Sequence, residues 1–202
     1  MALKVLALNC TLKGGDAPSS TDKLLNEILA ELSPYGGGGE IVRVADLTIK
    51  PGVTSDEGEG DEWPMLRQKV IACDLLVIGT PIWLGQPSSV AKRVLERLDA
   101  FLDETDDKGR MPSFGKVAMV AVVGNEDGAH HVHAEIYQAL NDVGFTLAAT
   151  AGTYWVGEAM GSTDYKDLRK PYEPTVEATR LMAANAAHLA GLLKRNPYPG
   201  PK

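Results

Sequence analysis

The sequence predicts a three-layer α/β/α domain in which five parallel strands are buried between two layers of helices. Three observations point there. Short apolar runs alternate with longer segments of helical period, the arrangement of successive βαβ units. The central runs are apolar at nearly every position, as strands covered on both faces are. The chain has 202 residues, 23% charged and 44% hydrophobic, which suits one compact domain with a sizeable core.

The first strand is expected at Lys4 to Asn9, the second at Ile41 to Ala45 and the third at Leu75 to Gly79. The fourth runs from Val117 to Val123 and the fifth from Leu147 to Ala151. After the first strand, Leu24, Leu25, Ile28, Leu29 and Leu32 form an apolar stripe behind Ser19-Ser20-Thr21, a cluster able to cap a helix. The glycine run Gly36 to Gly39 reads as the flexible turn that ends this helix. A helix over Glu62 to Cys73 precedes the third strand. Val90, Val94, Leu98 and Phe101 mark another, with Pro87 suited to its first turn. Val132, Ile136, Leu140 and Val143 mark the next, ending before Gly144. An alanine-rich helix over Val176 to Lys194 closes the fold, so that one domain spans residues 1–195 and 196–202 form a flexible tail. Two connections are long for a compact domain, Asp46 to Asp61 and Gly152 to Tyr172. The first carries the acidic run Asp56 to Asp61, which reads either as disordered surface or as a functional loop.

Lys plus Arg number 20 against 27 Asp plus Glu, a formal charge of -7 without a basic block, which argues against nucleic acid and anionic membranes as partners. The N-terminus has no signal-peptide layout and no apolar run is long enough to span a bilayer, so a cytoplasmic location is expected. Cys10 and Cys73 form no CxxC pair, which suggests neither a disulfide framework nor a zinc site.

Ligands of an open α/β sheet bind beyond the carboxyl ends of its strands. The loop after the first strand, Asn9 to Thr21, is rich in hydroxyls and ends at a helix N-terminus, which is anion-site chemistry. Neither GxGxxG nor GxxxxGK[ST] occurs, so a monophosphate suits the loop better than a dinucleotide or a triphosphate. Thr11, Lys13, Ser19, Ser20 and Thr21 are its candidate ligands, and an ordinary capped helix is the plainer alternative. The loop after the third strand, Gly79-Thr80-Pro81-Ile82-Trp83-Leu84-Gly85, is apolar and aromatic where a loop should be polar, and would suit a flat ring. The loop after the fourth, Gly124-Asn125-Glu126-Asp127-Gly128-Ala129-His130, offers close backbone approach and polar groups for such a ring's edge. His130, His131 and His133 lack a third ligand at a telling spacing, so no metal is assigned.

Taken together, from Lys4 to Gly157, these loops resemble the NADPH-dependent FMN reductase branch of the flavodoxin-like flavoproteins. The motifs that carry the resemblance are Asn9-Cys10-Thr11-Leu12-Lys13 with Ser19-Ser20-Thr21, then Thr80-Pro81-Ile82-Trp83-Leu84-Gly85, then Lys92 and Asp99. The resemblance implies a flavodoxin-like fold of strand order 2-1-3-4-5. It implies FMN, with its phosphate at Thr11, Lys13, Ser19, Ser20 and Thr21 and its isoalloxazine against Pro81, Ile82, Trp83, Leu84 and Gly85. Gly124, Asn125, Gly128 and His130 would line the remaining edge. NADPH or NADH would reduce the flavin in a ping-pong cycle, and a quinone, free flavin, azo or nitro compound would take the electrons. No residue is assigned as acid, base or nucleophile, because the cofactor carries the chemistry. A homodimer or homotetramer that completes the flavin site is also implied.

Three alternatives compare less well. A low-molecular-weight phosphotyrosine phosphatase would use Cys10, but its arginine six residues later is replaced by Asp16. A receiver domain needs acidic residues where this chain has Asn9-Cys10 and Gly79-Thr80. A flavodoxin-type FMN electron carrier, without nicotinamide turnover of its own, should be shorter and expose a dominant acidic face.

Overall fold

The computed structural model describes residues 2–201. Five parallel strands, β1 (Leu3–Asn9), β2 (Gly37–Arg43), β3 (Leu75–Trp83), β5 (Val117–Gly124) and β6 (Thr146–Val156), lie in the order β2-β1-β3-β5-β6. The short β4 (Gln86–Pro87) turns back antiparallel on β3. Five helices cover the sheet: α1 (Ser20–Leu32), α2 (Trp63–Ala72), α3 (Ser89–Leu98), α4 (Ala129–Asp142) and α5 (Glu173–Arg195). With β4 set aside, this is the expected 2-1-3-4-5 order.

The two faces of the sheet sort by strand period. Leu6, Leu8, Leu76, Ile78, Ala118, Val120 and Val122 pack with α2, α3 and α4 through Trp63, Leu66, Val94, Leu98, Val132 and Ile136. Val5, Ala7, Leu75, Val77, Met119 and Ala121 pack with α1 and α5 through Leu24, Leu25, Ile28, Met182, Ala183 and Ala186. The small alanines of α5 allow that helix to lie close on the sheet.

Several boundaries depart from expectation. The glycine run is strand rather than turn: Gly37–Gly39 pair in register with Leu3–Val5, and a Cβ on Gly39 would collide with the Val5 carbonyl. Gly36 alone makes the turn, at φ 80°. Strand β3 runs on to Trp83 because β5 continues to pair with it through Thr80 and Pro81. Pro87 is not in the first turn of α3 but in β4 opposite Ile82, an edge position where no N–H is needed. Ser88 caps α3, its Oγ accepting from Ala91 N at 3.1 Å and donating to the Cys10 carbonyl at 2.6 Å. Strand β6 extends past Ala151 to Val156 through a bulge: Ala118 faces Leu147 while Val120 faces Gly152, and Thr150 sits at φ 56°.

The segment from Leu47 to Glu62 is tied down from inside. Arg97 donates to the Lys50 carbonyl at 2.9 Å and twice to the Thr54 carbonyl, and pairs with Asp61 at 2.8 Å. After α5, the Tyr198 ring lies 5.7 Å from that of Phe114.

Candidate functional site

A cavity of about 450 Å³ opens beyond the carboxyl ends of β1, β3, β5 and β6. That is the size range of small-molecule sites. One end is polar. Ser19 is the N-cap of α1: its Oγ accepts from Asp22 N at 3.2 Å and its carbonyl from Lys23 N at 3.2 Å. The amides of Ser20 and Thr21 have no acceptor among the described residues, as the first turn of a helix leaves them. Thr11 (7% exposed) and Thr21 (2% exposed) line the same end, and their hydroxyls have no hydrogen-bond partner among the described residues. Lys13 also faces this end. Hydroxyls of two buried threonines that open on the cavity, free amides and a lysine at a helix N-terminus form a donor set for an anion.

The loop that carries these groups is braced from behind. Asn9 is fully buried; its Nδ2 donates to Asp22 at 3.1 Å while its Oδ1 accepts from Thr11 N at 3.1 Å. Arg43 donates to the Ala17 carbonyl at 2.7 Å and lies 3.8 Å from Asp22. Gly15 N donates to Asp46 at 2.5 Å. Cys10, at the head of this loop, is buried, and burial alone pushes its thiol far above the ordinary range. It is no nucleophile.

The other end is apolar and flat. Ile82, Trp83 and Leu84 come from β3 and its hairpin turn, Val123 and Gly124 from β5, and Trp155 from β6. Leu84 at φ 53° and Gly85 at φ 74° make the two-residue turn, and Glu126 holds it by accepting from Leu84 N at 2.8 Å. Gly124 lacks the Cβ that would press on Ile82 at 2.9 Å, which seats Ile82 against the cavity floor.

Ten of the residues expected at the site meet on this wall: Thr11, Lys13, Ser19, Ser20, Thr21, Ile82, Trp83, Leu84, Gly124 and Asn125. Pro81, Gly85, Gly128 and His130 lie off it. Pro81 pairs with Val123 within the sheet. Gly128 is at φ 117°, where a Cβ would meet Gly85 at 2.9 Å, so these two glycines let the hairpin rest on the start of α4. The His130 ring faces outward onto Tyr154, 5.1 Å away. Among the described residues no group of three His, Cys, Asp or Glu is placed to hold a metal ion.

The sequence reading missed the fourth side. Trp155, Met160, Gly161, Asp164, Tyr165 and Lys166 belong to β6 and the strap after it, and all line the cavity. Asn125 ties the strap down, its Nδ2 donating to Asp164 at 3.1 Å and its carbonyl accepting from Met160 N at 3.1 Å. Tyr165 is buried against Trp155, with its hydroxyl on Glu27 and its carbonyl accepting from Lys23 at 3.0 Å. The signal lies in the extent of the fifth strand, which runs to Val156 rather than Ala151 and so brings Trp155 and the strap after it to the carboxyl end of the sheet.

The chain matches the family described as NADPH-dependent FMN reductase over residues 3–161. It is 36% identical to 8-demethyl-8-aminoriboflavin-5'-phosphate synthase of Streptomyces davaonensis, across 98% of this chain and 81% of that protein. Its fold superposes with TM-score 0.88 on the solved structure of RosB with a bound intermediate, 8-demethyl-8-formylriboflavin-5'-phosphate, at 34% identity, covering 98% of this chain and 82% of the other. An archaeal flavodoxin, 7% identical with TM-score 0.59 over 94% of this chain and 99% of its own, shares the fold. The cavity fits FMN on its own chemistry, with an unpaired donor set for the phosphate at one end and a flat apolar wall for the ring at the other. By the match along the chain and the fit of the cavity, the protein belongs to the NADPH-dependent FMN reductase family and is an NAD(P)H-dependent flavin oxidoreductase with FMN as its cofactor.

Proposed function

We propose that the cavity holds FMN with its phosphate on the α1 N-terminus and its ring between Trp83 and Trp155, and that the enzyme passes electrons from NAD(P)H to a small aromatic acceptor such as a quinone, flavin, azo or nitro compound. The observation that carries this reading is the continuity of one cavity from the unpaired Thr11, Ser20 and Thr21 donors to the apolar wall of Ile82, Trp83 and Trp155. Bound FMN supplies the two-electron chemistry that links nicotinamide to acceptor. The chain's own part is to fix the ring, exclude water from its buried side and leave the other side open for the two substrates in turn. A flat acceptor suits the mouth, whose rim is Trp83 (53% exposed), Leu84 (91%) and Met160 (96%). That apolar rim also suits a second copy of the chain, in a homodimer or homotetramer.

The test is an absorbance spectrum of the protein with FMN, followed anaerobically after NADPH and then NADH. Flavin bands that bleach with nicotinamide and return with a quinone support the reading. Bands that persist point to a carrier without nicotinamide turnover, and no flavin uptake overturns the reading.

A second reading takes the flavin phosphate as substrate rather than resident cofactor. It is favoured by the 36% identity to a synthase named for a modified riboflavin phosphate. Mass spectrometry of the flavin recovered after aerobic turnover separates the two: unchanged FMN supports the reductase, and an altered ring supports the modifying enzyme.

A further inference from the structure

We propose that Lys166, carried by the strap after β6, is a second phosphate-recognising cation of the cavity and makes it select phosphorylated over unphosphorylated flavin. The inference rests on the flavin reading above. It concerns a residue beyond 3–161, the span matched to the family.

The strap brings Lys166 to the helix N-terminus from far along the chain: its amide donates to Ser20 Oγ at 3.2 Å. It lines the cavity together with Lys13, Ser19, Ser20 and Thr21. Other nearby cations are committed elsewhere. Lys23 donates to the Tyr165 carbonyl at 3.0 Å and covers the Tyr165 ring, and Arg43 braces the Ala17 carbonyl. Among the described residues, Lys13 and Lys166 are the two cationic residues on this wall.

Lys166 Nζ pairs with Asp164, which also lines the cavity, at 2.6 Å and with Asp167 at 2.7 Å, carboxylates whose side chains are about half exposed. Lys166 holds the Asp164 carboxyl below its usual range, with Asn125 and the field of Lys13 acting in the same sense. Exposed ion pairs of this kind are weak because water screens them. The bond to a phosphate would be charge-assisted as these pairs are, but made inside the cavity, where partial burial leaves it less screened. Lys166 can thus exchange its carboxylates for a phosphate on the cavity wall that it shares with Thr11 and Thr21. A flavin without phosphate gains nothing from that exchange.

The experiment is calorimetric titration of the full chain with FMN and, separately, riboflavin, for the wild type, Lys166→Met, Lys166→Gln and Lys166→Arg. Expected is a loss of about tenfold in FMN affinity for the Met and Gln variants, riboflavin affinity within about twofold of wild type, and recovery of FMN affinity in the Arg variant. Met and Gln variants that bind FMN as the wild type does overturn the proposal. So does an equal loss for both flavins, which marks a structural role. A wild type that takes up neither flavin overturns the flavin reading itself, and the proposal with it.

Discussion

Arg97 and Asp61 form an ion pair at 2.8 Å in which both side chains are fully buried. It joins α3 to the acidic loop that precedes α2. Removing one partner leaves the other charge stranded, at a cost of roughly 3–5 kcal/mol. Arg97→Leu should therefore lower stability by that order and expose residues 47–62 to protease. Urea denaturation and limited proteolysis check both. Burial acts to raise the Asp61 carboxyl, but the amides of Glu57, Trp63 and Lys50 and the Arg97 guanidinium together hold it down to about 2. Its contribution is present above pH 3.8 and is lost as the pH falls from there toward 2.

The anion end of the cavity depends on charge and hydroxyl together. Lys13→Ala combined with Ser20→Ala should weaken FMN binding by about an order of magnitude or more. Quenching of flavin fluorescence gives the affinity, and an unchanged value would remove these residues from the phosphate site.

Arg43 is not itself on the cavity wall, yet it holds the loop that is, through the Ala17 carbonyl at 2.7 Å and the Lys13 carbonyl at 3.5 Å. Arg43→Ala should weaken FMN by several-fold to about tenfold with little change in global stability, because the loop loses its charged hydrogen bonds to the Ala17 and Lys13 carbonyls. The ratio of the affinity change to the melting-temperature change separates loop ordering from general unfolding.

His133 is buried between α4 and β6, stacked 5.4 Å from Tyr137, and its Nε2 has no partner. Burial is the main cause that drops its pKa from 6.5 to about 4, with His130 adding to it and the Thr153 backbone opposing it. Between those values the unfolded chain takes up a proton that the folded chain refuses. Stability is then fully present above pH 6.5 and declines as the pH falls toward 4, by on the order of 3 kcal/mol. In His133→Phe that part of the pH dependence should vanish, as melting curves across the window will show.

Leu84 and Met160, the most exposed apolar residues of the rim, both sit at positive φ, 53° and 62°. Asparagine tolerates that backbone and removes the apolar surface. If the rim is covered by a second copy, the Leu84→Asn, Met160→Asn double variant should shift toward monomer in light scattering. A wild type that is monomeric at micromolar concentration would refute the oligomer.

Much of this architecture is legible without coordinates, for local reasons. The Ser19 cap and the stripe from Leu24 to Leu32 specify α1 by themselves, and the apolar runs around Ala7, Val77 and Val120 can only be buried strands. Strand ends were misplaced where a neighbour decides them. Gly37 to Gly39 have poor strand propensity, yet they pair in register with Leu3 to Val5, and at Gly39 the Val5 carbonyl leaves no room for a Cβ. The acidic run 56–61 has the composition of a loose loop, and it is ordered by Arg97, a residue some forty positions away on another helix.

The sequence by itself determined the α/β class, the five helices, and the two ends of a site: a hydroxyl-rich loop at a helix N-terminus and an aromatic turn after the third strand. Those are properties of residues close in the chain, set by period, capping and turn chemistry. Only the tertiary structure decided that the strap from Gly157 to Asp167 closes the cavity, that Lys166 meets Ser20, and that His130 and Gly128 stand away from the wall. Such contacts join residues far apart in sequence, and no local pattern encodes them. They follow from where the packed sheet brings its strand ends together.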